Sequence, residues 1–302
     1  MIYRKADLPR MGTAFAPAAC GELVEGIIGD QAFLVSCPIS LYSRATVCLY
    51  PKGTSSSPQP NDPWPKAWQA VNAALRAWQG DTWDATLNIE SSIPQGKGMA
   101  SSTADIGAAL AATALALNRV PDPVEITQLA VEIEPTDSTL FPELTVFDHV
   151  RGSLHNTIGK PPPLQVMVFD WGGHIESDDW YSDNSPWLSI LKQQSSLAVQ
   201  ALELIRDGVR LSSGKVLTQG ATLSALLHQS ILYKPYLGNV ARYVRERGAL
   251  GITIAHSGTV AGLIFPPMRR NTITKVAKAV NQEFPMIEHL GTYDIISGGI
   301  CW

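Results

Sequence analysis

The stretch Pro94-Gln95-Gly96-Lys97-Gly98-Met99-Ala100-Ser101-Ser102-Thr103-Ala104-Asp105 organises the rest of the chain. It runs from a strand exit through a glycine-rich turn and three hydroxyl residues into a helix. Glycines let backbone approach an anion closely. Amide N–H groups at a helix start lack intrahelical acceptors, and the helix dipole favours negative charge there. Gly96 through Thr103, entered from Pro94, therefore form a candidate phosphate cradle. Lys97 adds a cation, and Ser101, Ser102 and Thr103 offer hydroxyls to phosphate oxygens or to a magnesium ion. The spacing is neither Gly-x-x-x-x-Gly-Lys-Ser/Thr nor the dinucleotide fingerprint. A strand-to-helix turn of this composition also arises for structural reasons alone.

Working outward, Ala85 to Glu90 predicts the strand entering the turn, and Thr103 to Leu117 predicts a buried helix with Ser102 as N-cap and Asp105 three residues on. Upstream, Trp64, Trp68, Val71, Leu75 and Trp78 recur at helical steps before Gly80, and this aromatic stripe reads as core packing. Residues 12–50 read as strands through Ala32–Val35 and Ala45–Leu49, punctuated by Gly29 and Pro38. Lys52 to Pro63, with three consecutive serines, has a surface-loop composition. Downstream, Asp122, Pro123 and Glu125 predict a capped helix with Ile126, Leu129, Ala130 and Ile133 inward. Gly159-Lys160-Pro161-Pro162-Pro163 cannot continue a helix or central strand, so it marks the boundary between residues 1–160 and 161–302. Beyond it, Leu164–Phe169 reads as a strand, with long helices over Trp187–Ile205 and Lys215–Ile231 and a shorter one over Asn239–Arg247. Two strands flank a turn at His256–Gly258, followed by a helix near Thr272–Glu283 and a strand near Tyr293–Ile296. Both halves mix helix and strand, so the fold class is α+β.

At 302 residues, 45% hydrophobic and 17% charged, the chain suits two globular lobes. Twenty-three basic and twenty-seven acidic side chains give a net charge of −4, the wrong sign for a nucleic-acid partner. No apolar run approaches the roughly 20 residues that span a bilayer, and no charged-then-apolar leader opens the chain, which points to the cytoplasm. Cys20, Cys37, Cys48 and Cys301 are widely spaced, indicating neither a disulfide framework nor a zinc site.

Two further segments carry chemistry. In Glu134-Pro135-Thr136-Asp137-Ser138-Thr139, two carboxylates three residues apart would share a face if Pro135 opened a helical turn. Phosphoryl transfer needs a metal to neutralise phosphates and a carboxylate to orient or deprotonate the attacking hydroxyl, and such a pair can supply both. Two solvated carboxylates near a helix end would read the same way. In Gly251 through Leu263, small residues around His256-Ser257-Gly258 require backbone to pass close to something. His256 reads either as a contact to substrate or phosphate or as a satisfied structural histidine. Glu22, in Cys20-Gly21-Glu22-Leu23, reads either as a site residue or as a turn carboxylate.

Taken in order, these segments resemble the three signature regions of the GHMP kinases. More narrowly, the chain is similar to the L-threonine kinases of adenosylcobalamin synthesis through Cys20-Gly21-Glu22-Leu23, Ser36-Cys37-Pro38, Lys97 through Asp105, Glu134 through Thr139, Phe147-Asp148-His149, Ala221 through Ala225 and Ala255-His256-Ser257-Gly258. The resemblance implies a ribosomal-protein-S5-like N-terminal nucleotide domain, a ferredoxin-like C-terminal domain and an active site between them. It implies ATP and Mg2+ as cofactors and O-phospho-L-threonine as product. Pro94 and Gly96 to Thr103 would surround the triphosphate, and Ser102 and Glu134 would hold the metal. Asp137 would face the acceptor hydroxyl, with Lys97 the third catalytic group, and Cys20, Gly21, Glu22, His256, Ser257 and Gly258 would lie toward the acceptor. In mevalonate-kinase-like members the metal-binding Glu and catalytic Asp lie much further apart, so the roles of Glu134 and Asp137 stay open to exchange. Homoserine or another small alcohol as acceptor, and a catalytically silent nucleotide-binding homologue, are the alternatives.

Overall fold

The computed structural model describes residues 9–53, 63–153, 155–173 and 187–302. The middle of the expected surface loop, residues 54–62, lies outside them. Two long strands, β1 (Arg10–Ile28) and β2 (Gln31–Pro51), form a hairpin closed by Gly29 and Asp30, with Ile28 opposite Gln31. Gly29 takes the positive φ that so short a loop requires. Pro38 does not end β2. It stands opposite Ala19 where the β1–β2 register shifts, so no ladder bond is lost for want of its N–H. Its carbonyl accepts the Ile296 N–H (3.0 Å).

Helix α1 (Pro65–Ala77) buries Trp68, Val71 and Leu75, the stripe legible in the sequence. β3 (Trp83–Ser91) pairs antiparallel with β2 and leads to α2 (Ser101–Ala116), almost wholly buried. Small residues dominate α2 because backbone passes against it: a Cβ on Gly12 of β1 would lie 2.1 Å from the Ala112 carbonyl oxygen. The helix starts two residues before the expected Thr103, and Ser102 is not its N-cap. Ala100 holds that position in the left-handed region (φ 56°), with no side-chain cap. Asp105 turns instead to the Ser43 hydroxyl.

Helix α3 (Pro123–Val131) is capped as its sequence predicts, the Asp122 carboxylate accepting from the N–H groups of Val124 (2.8 Å) and Glu125 (3.0 Å). The expected turn through Pro135 does not form. Proline disfavours helical backbone at Glu134, the Thr136 N–H is taken by the His149 carbonyl (3.0 Å), and Asp137 is extended (φ −66°, ψ 155°). Strands β4 (Leu144–Phe147) and β5 (His155–Gly159) follow.

The C-terminal half contains β6 (Leu164–Asp170), α4 (Trp187–Gln193), α5 (Ser195–Arg210), α6 (Gly214–Leu227), α7 (Leu237–Arg245), β7 (Gly251–Ile254), β8 (Val260–Phe265), α8 (Arg270–Glu283) and β9 (Glu288–Ile295). The single helix expected over 187–205 breaks at Gln194, whose side-chain amide donates to the Leu227 carbonyl and the Ser230 hydroxyl, while Ser195 donates to the Ile27 carbonyl. The helix expected to reach Ile231 ends at Leu227, because His228 turns inward and bonds the His256 carbonyl (2.8 Å). Strands β7-β8-β6-β9 pair antiparallel in that order, the ferredoxin-like β-α-β-β-α-β arrangement. This sheet meets the N-terminal hairpin at two single pairings, Glu22 with Ile254 and Ile39 with Ile295. One hydrophobic core draws residues from Ala14 to Ile295, and a second, from Met167 to Ile287, lies under α7 and α8. Among the described residues no helix is long and apolar enough to cross a membrane.

Candidate active site

The glycine turn sits where the N-terminal hairpin meets the strands of the C-terminal half. Gly96, Gly98 and Ala100 all have positive φ (66°, 79° and 56°), a contorted path that turns successive amides the same way. The turn is clamped on both sides. β1 donates from Ala19 to the Met99 carbonyl (3.0 Å) and from Gly21 to the Gly98 carbonyl (3.3 Å). Thr259 and Val260 both donate to the Lys97 carbonyl (3.0 and 3.1 Å). A Cβ on Gly258 would stand 2.3 Å from the Gly98 Cα. The close approach read from the small residues of 255–262 is thus an approach to the glycine turn itself.

The first intrahelical bond of α2 runs from Ala104 to the Ala100 carbonyl (2.9 Å), leaving the amides of Ser101, Ser102 and Thr103 without helical acceptors. These three residues line a cleft, open to solvent, that Gly96, Gly98, Met99 and Ala100 also line. Glu134 through Asp137 form another wall and Glu22, Leu34, His149 and Ser257 a third. Ser102, Glu134 and Asp137 therefore share one cleft although the carboxylates are not on a helix.

Asp137 is held at both oxygens. Ser36 Oγ donates to Oδ1 (2.9 Å) and Thr103 Oγ1 to Oδ2 (3.2 Å), while the Asp137 N–H donates back to Thr103 Oγ1 (3.2 Å). Burial lifts its carboxyl from 3.8 to about 6 against the lowering effect of these hydroxyls, with Glu134 and Glu25 adding to the rise. Glu134 makes an ion pair with Lys66 (2.6 Å), the residue after Pro65 at the start of α1. Lys97 does not line the cleft. Its ammonium group reaches Asp170 Oδ2 (2.7 Å) and the Gly173 carbonyl (2.7 Å), tying the turn to the end of β6.

Of the residues expected near the acceptor, Glu22 and Ser257 line the cleft, whereas Cys20, Gly21, His256 and Gly258 do not. Gly21 has φ +59°, and a Cβ there would meet the Ile254 carbonyl at 2.2 Å, so only glycine lets β1 bend to present Glu22. Glu22 Oε2 accepts the His256 N–H (2.8 Å). The His256 ring is buried, pairs through Nδ1 with the Glu25 carboxylate and stacks on His228 at 4.0 Å. Burial, then nearby Lys234, drops its pKa to about 3, so it is neutral. Glu25, His228 and His256 are metal-ligating types lying close together, but the two rings are parallel within 8°, so their in-plane lone pairs run side by side rather than converging. Lys234 donates to the carbonyls of Gly258 (2.8 Å) and Ala255 (3.2 Å), and burial lowers its pKa to about 8.

Ser36, Lys66, Asp170 and Lys234 carry these contacts, yet sequence reasoning gave none of them a role. Ser36 lies in a recognisable stretch, but nothing local shows that a strand residue about a hundred positions away meets Asp137.

Residues 66–141, from the start of α1 past Asp137, match the family model of the GHMP kinases N terminal domain. The L-threonine kinase of Salmonella typhimurium is 34% identical over 99% of this chain and 97% of its own length. The chain belongs to the GHMP kinases. The L-threonine kinase of Citrobacter freundii is 35% identical over 86% of the chain and 88% of its own. Among solved structures, a homoserine kinase from Listeria monocytogenes superposes with a TM-score of 0.65 at 16% identity, covering 96% of this chain and 98% of that one. Mevalonate diphosphate decarboxylase from Staphylococcus aureus gives 0.67 at 14%, covering 98% and 99%. At those identities the likeness establishes the GHMP kinase fold, and membership makes the protein a phosphotransferase.

Proposed function

We propose that the protein transfers the γ-phosphoryl group of ATP to the side-chain hydroxyl of L-threonine, yielding ADP and O-phospho-L-threonine for cobalamin biosynthesis in the cytoplasm. The observation that carries this reading is the meeting of three groups in one cleft: the uncapped amides of residues 101–103, the carboxylate of Glu134 and the half-buried carboxylate of Asp137. The relatives at 34% and 35% identity support the choice of acceptor. The cleft lies where segments 1–160 and 161–302 meet, which we take as the two domains.

The amides from Gly96 to Thr103 receive phosphate oxygens, a fixed array of donors that needs no reorganisation as charge moves. Ser102 Oγ and a Glu134 oxygen fit Mg2+, which takes hard oxygen ligands, and they would hold it between them. When bound, the ion neutralises charge on the β- and γ-phosphates. Lys66 keeps Glu134 paired in the free protein. Lys97 acts by fixing the turn to Asp170. Asp137 takes the proton of the acceptor hydroxyl. With its pKa near 6 it is ionised at neutral pH yet basic enough to share that proton. Ser36 and Thr103 keep its oxygens oriented, so the acceptor meets a base already in place.

The test is direct. Purified protein, ATP, Mg2+ and L-threonine should give stoichiometric ADP and O-phosphothreonine, identified by mass and by 31P NMR, with L-serine and L-homoserine run alongside. Phosphorylation of homoserine in preference to threonine would replace the acceptor. ATP binding without transfer to any hydroxy-amino acid would reject the enzymatic reading.

A further inference from the structure

One wall of the cleft carries charges that phosphate handling does not use. Glu22 is 5% exposed, yet lines the cleft beside Asp137. Burial raises its pKa well above the ordinary value, and the charges of Asp137 and Glu25 raise it further. Lys234, the buried lysine among the described residues, directs its ammonium group to the Gly258 and Ala255 carbonyls rather than to Glu22. Ionising Glu22 is therefore costly in the free protein, with the His256 N–H and the charge of Lys234 favouring it, and a ligand cation beside it would stabilise the carboxylate.

His149 brings the opposite capacity to the same wall. Leu34 of β2 is opposite Glu25 of β1 on one side and Phe147 of β4 on the other, so Glu22 and Leu34 lie on neighbouring strands and His149 in the turn that follows the third. All three line the cleft. The His149 Nε2 stands 3.7 Å from Glu25 Oε1; burial holds the imidazole below its ordinary pKa while Glu25 and Asp148 pull the other way, and a ligand anion would add to their pull. The His149 carbonyl accepts the Thr136 N–H, which fixes its distance from Asp137 next door.

We propose that this wall reads both charges of an α-amino acid acceptor: Glu22 takes the ammonium group and His149, backed by Glu25, takes the carboxylate. Leu34 between them meets the acceptor's carbon skeleton. The assignment rests on the phosphotransfer reading above and deepens it, since it requires a zwitterion rather than any small alcohol.

Three acceptors separate the two. L-threonine carries both charges, (R)-1-amino-2-propanol lacks the carboxylate, and (R)-3-hydroxybutyrate lacks the ammonium group. Wild-type kcat/KM for L-threonine should exceed that for either analogue by about tenfold or more, the scale of one lost charge-assisted contact. In His149→Gln the ratio of L-threonine to 1-amino-2-propanol should collapse toward one while the ratio to 3-hydroxybutyrate persists. In Glu22→Gln the pattern should reverse. Calorimetric titration of each variant with L-threonine and 1-amino-2-propanol gives the same comparison without turnover. Wild-type protein that uses either analogue as well as L-threonine overturns the proposal, and this needs no variant. So do variants that slow all three acceptors equally. If wild-type protein phosphorylates none of the three, the phosphotransfer reading has failed instead.

Discussion

Replacing Asp137 by Asn should remove most activity and at the same time make the protein more stable at neutral pH. In the fold the Asp137 carboxyl titrates near 6 rather than 3.8, chiefly because burial disfavours its charge. At 1.36 kcal/mol per pKa unit, this corresponds to about 3 kcal/mol as an upper limit. The direction follows from proton binding. Between 3.8 and about 6 the unfolded chain has lost the proton that the folded chain retains, so wild-type stability relative to Asp137→Asn falls through this window. It stays lower above it and is unaffected below it. Asn preserves the Ser36 contact through its oxygen and can donate to Thr103, so the site should repack without a cavity. Urea unfolding at pH 4 and pH 7.5 should therefore show the variant gaining about 1–3 kcal/mol on wild type at the higher pH. Its kcat should fall by about 10²–10⁴, the usual worth of a positioned base. Wild-type kcat should rise with pH through a midpoint near 6 and level off above 7. A flat wild-type profile between pH 5 and 8, or a variant within tenfold of wild-type turnover, would show that Asp137 is not the proton acceptor. A variant less stable at pH 7.5 than at pH 4, relative to wild type, would show that its charge is not held at a cost.

Other consequences test different parts of the structure. Glu134→Gln should raise the Mg2+ concentration for half-maximal activity by about tenfold or more, read from Mg2+ titrations at saturating ATP, because one hard-oxygen anion is lost from the metal's shell. Gly98→Ala places a Cβ 2.2 Å from that of Ala255 at a backbone φ of +79°, so thermal unfolding should show a loss of more than about 2 kcal/mol and ATP binding by calorimetry should weaken. Asp122→Ala frees two amides at the start of α3 and should cost about 1 kcal/mol in urea unfolding while leaving kcat within twofold, since the cap is remote from the cleft.

How much of this was legible in the chain depended on the range of the interaction. The α1 stripe, the Asp122 cap and the helix after Ser102 rest on neighbours within one or two turns, and local spacing reveals them. The ends of elements were misjudged where a distant partner intervened: Gln194 bonding to Leu227, His228 turning to His256, Pro38 resting opposite Ala19. The same division runs through the site. Glycine and hydroxyl residues announced an anion cradle, and the two carboxylates announced chemistry. That Lys97 leaves the cleft for Asp170, and that Lys66 arrives at Glu134, depends on charges 73 and 68 positions away in the chain.

The sequence by itself determined the α+β class, the family and the residue types needed for phosphoryl transfer, because these rest on composition, local periodicity and short motifs. Only the tertiary structure decided which of those residues meet. The N-terminal hairpin joins the C-terminal strands at Glu22 and Ile39, and that junction presses the 255–259 turn onto the glycine loop, sets His256 behind Glu22 and half-buries Asp137 between Ser36 and Thr103. A carboxylate's reactivity follows from its dielectric surroundings and hydrogen-bond partners, and folding supplies both from parts of the chain that share no local pattern with it.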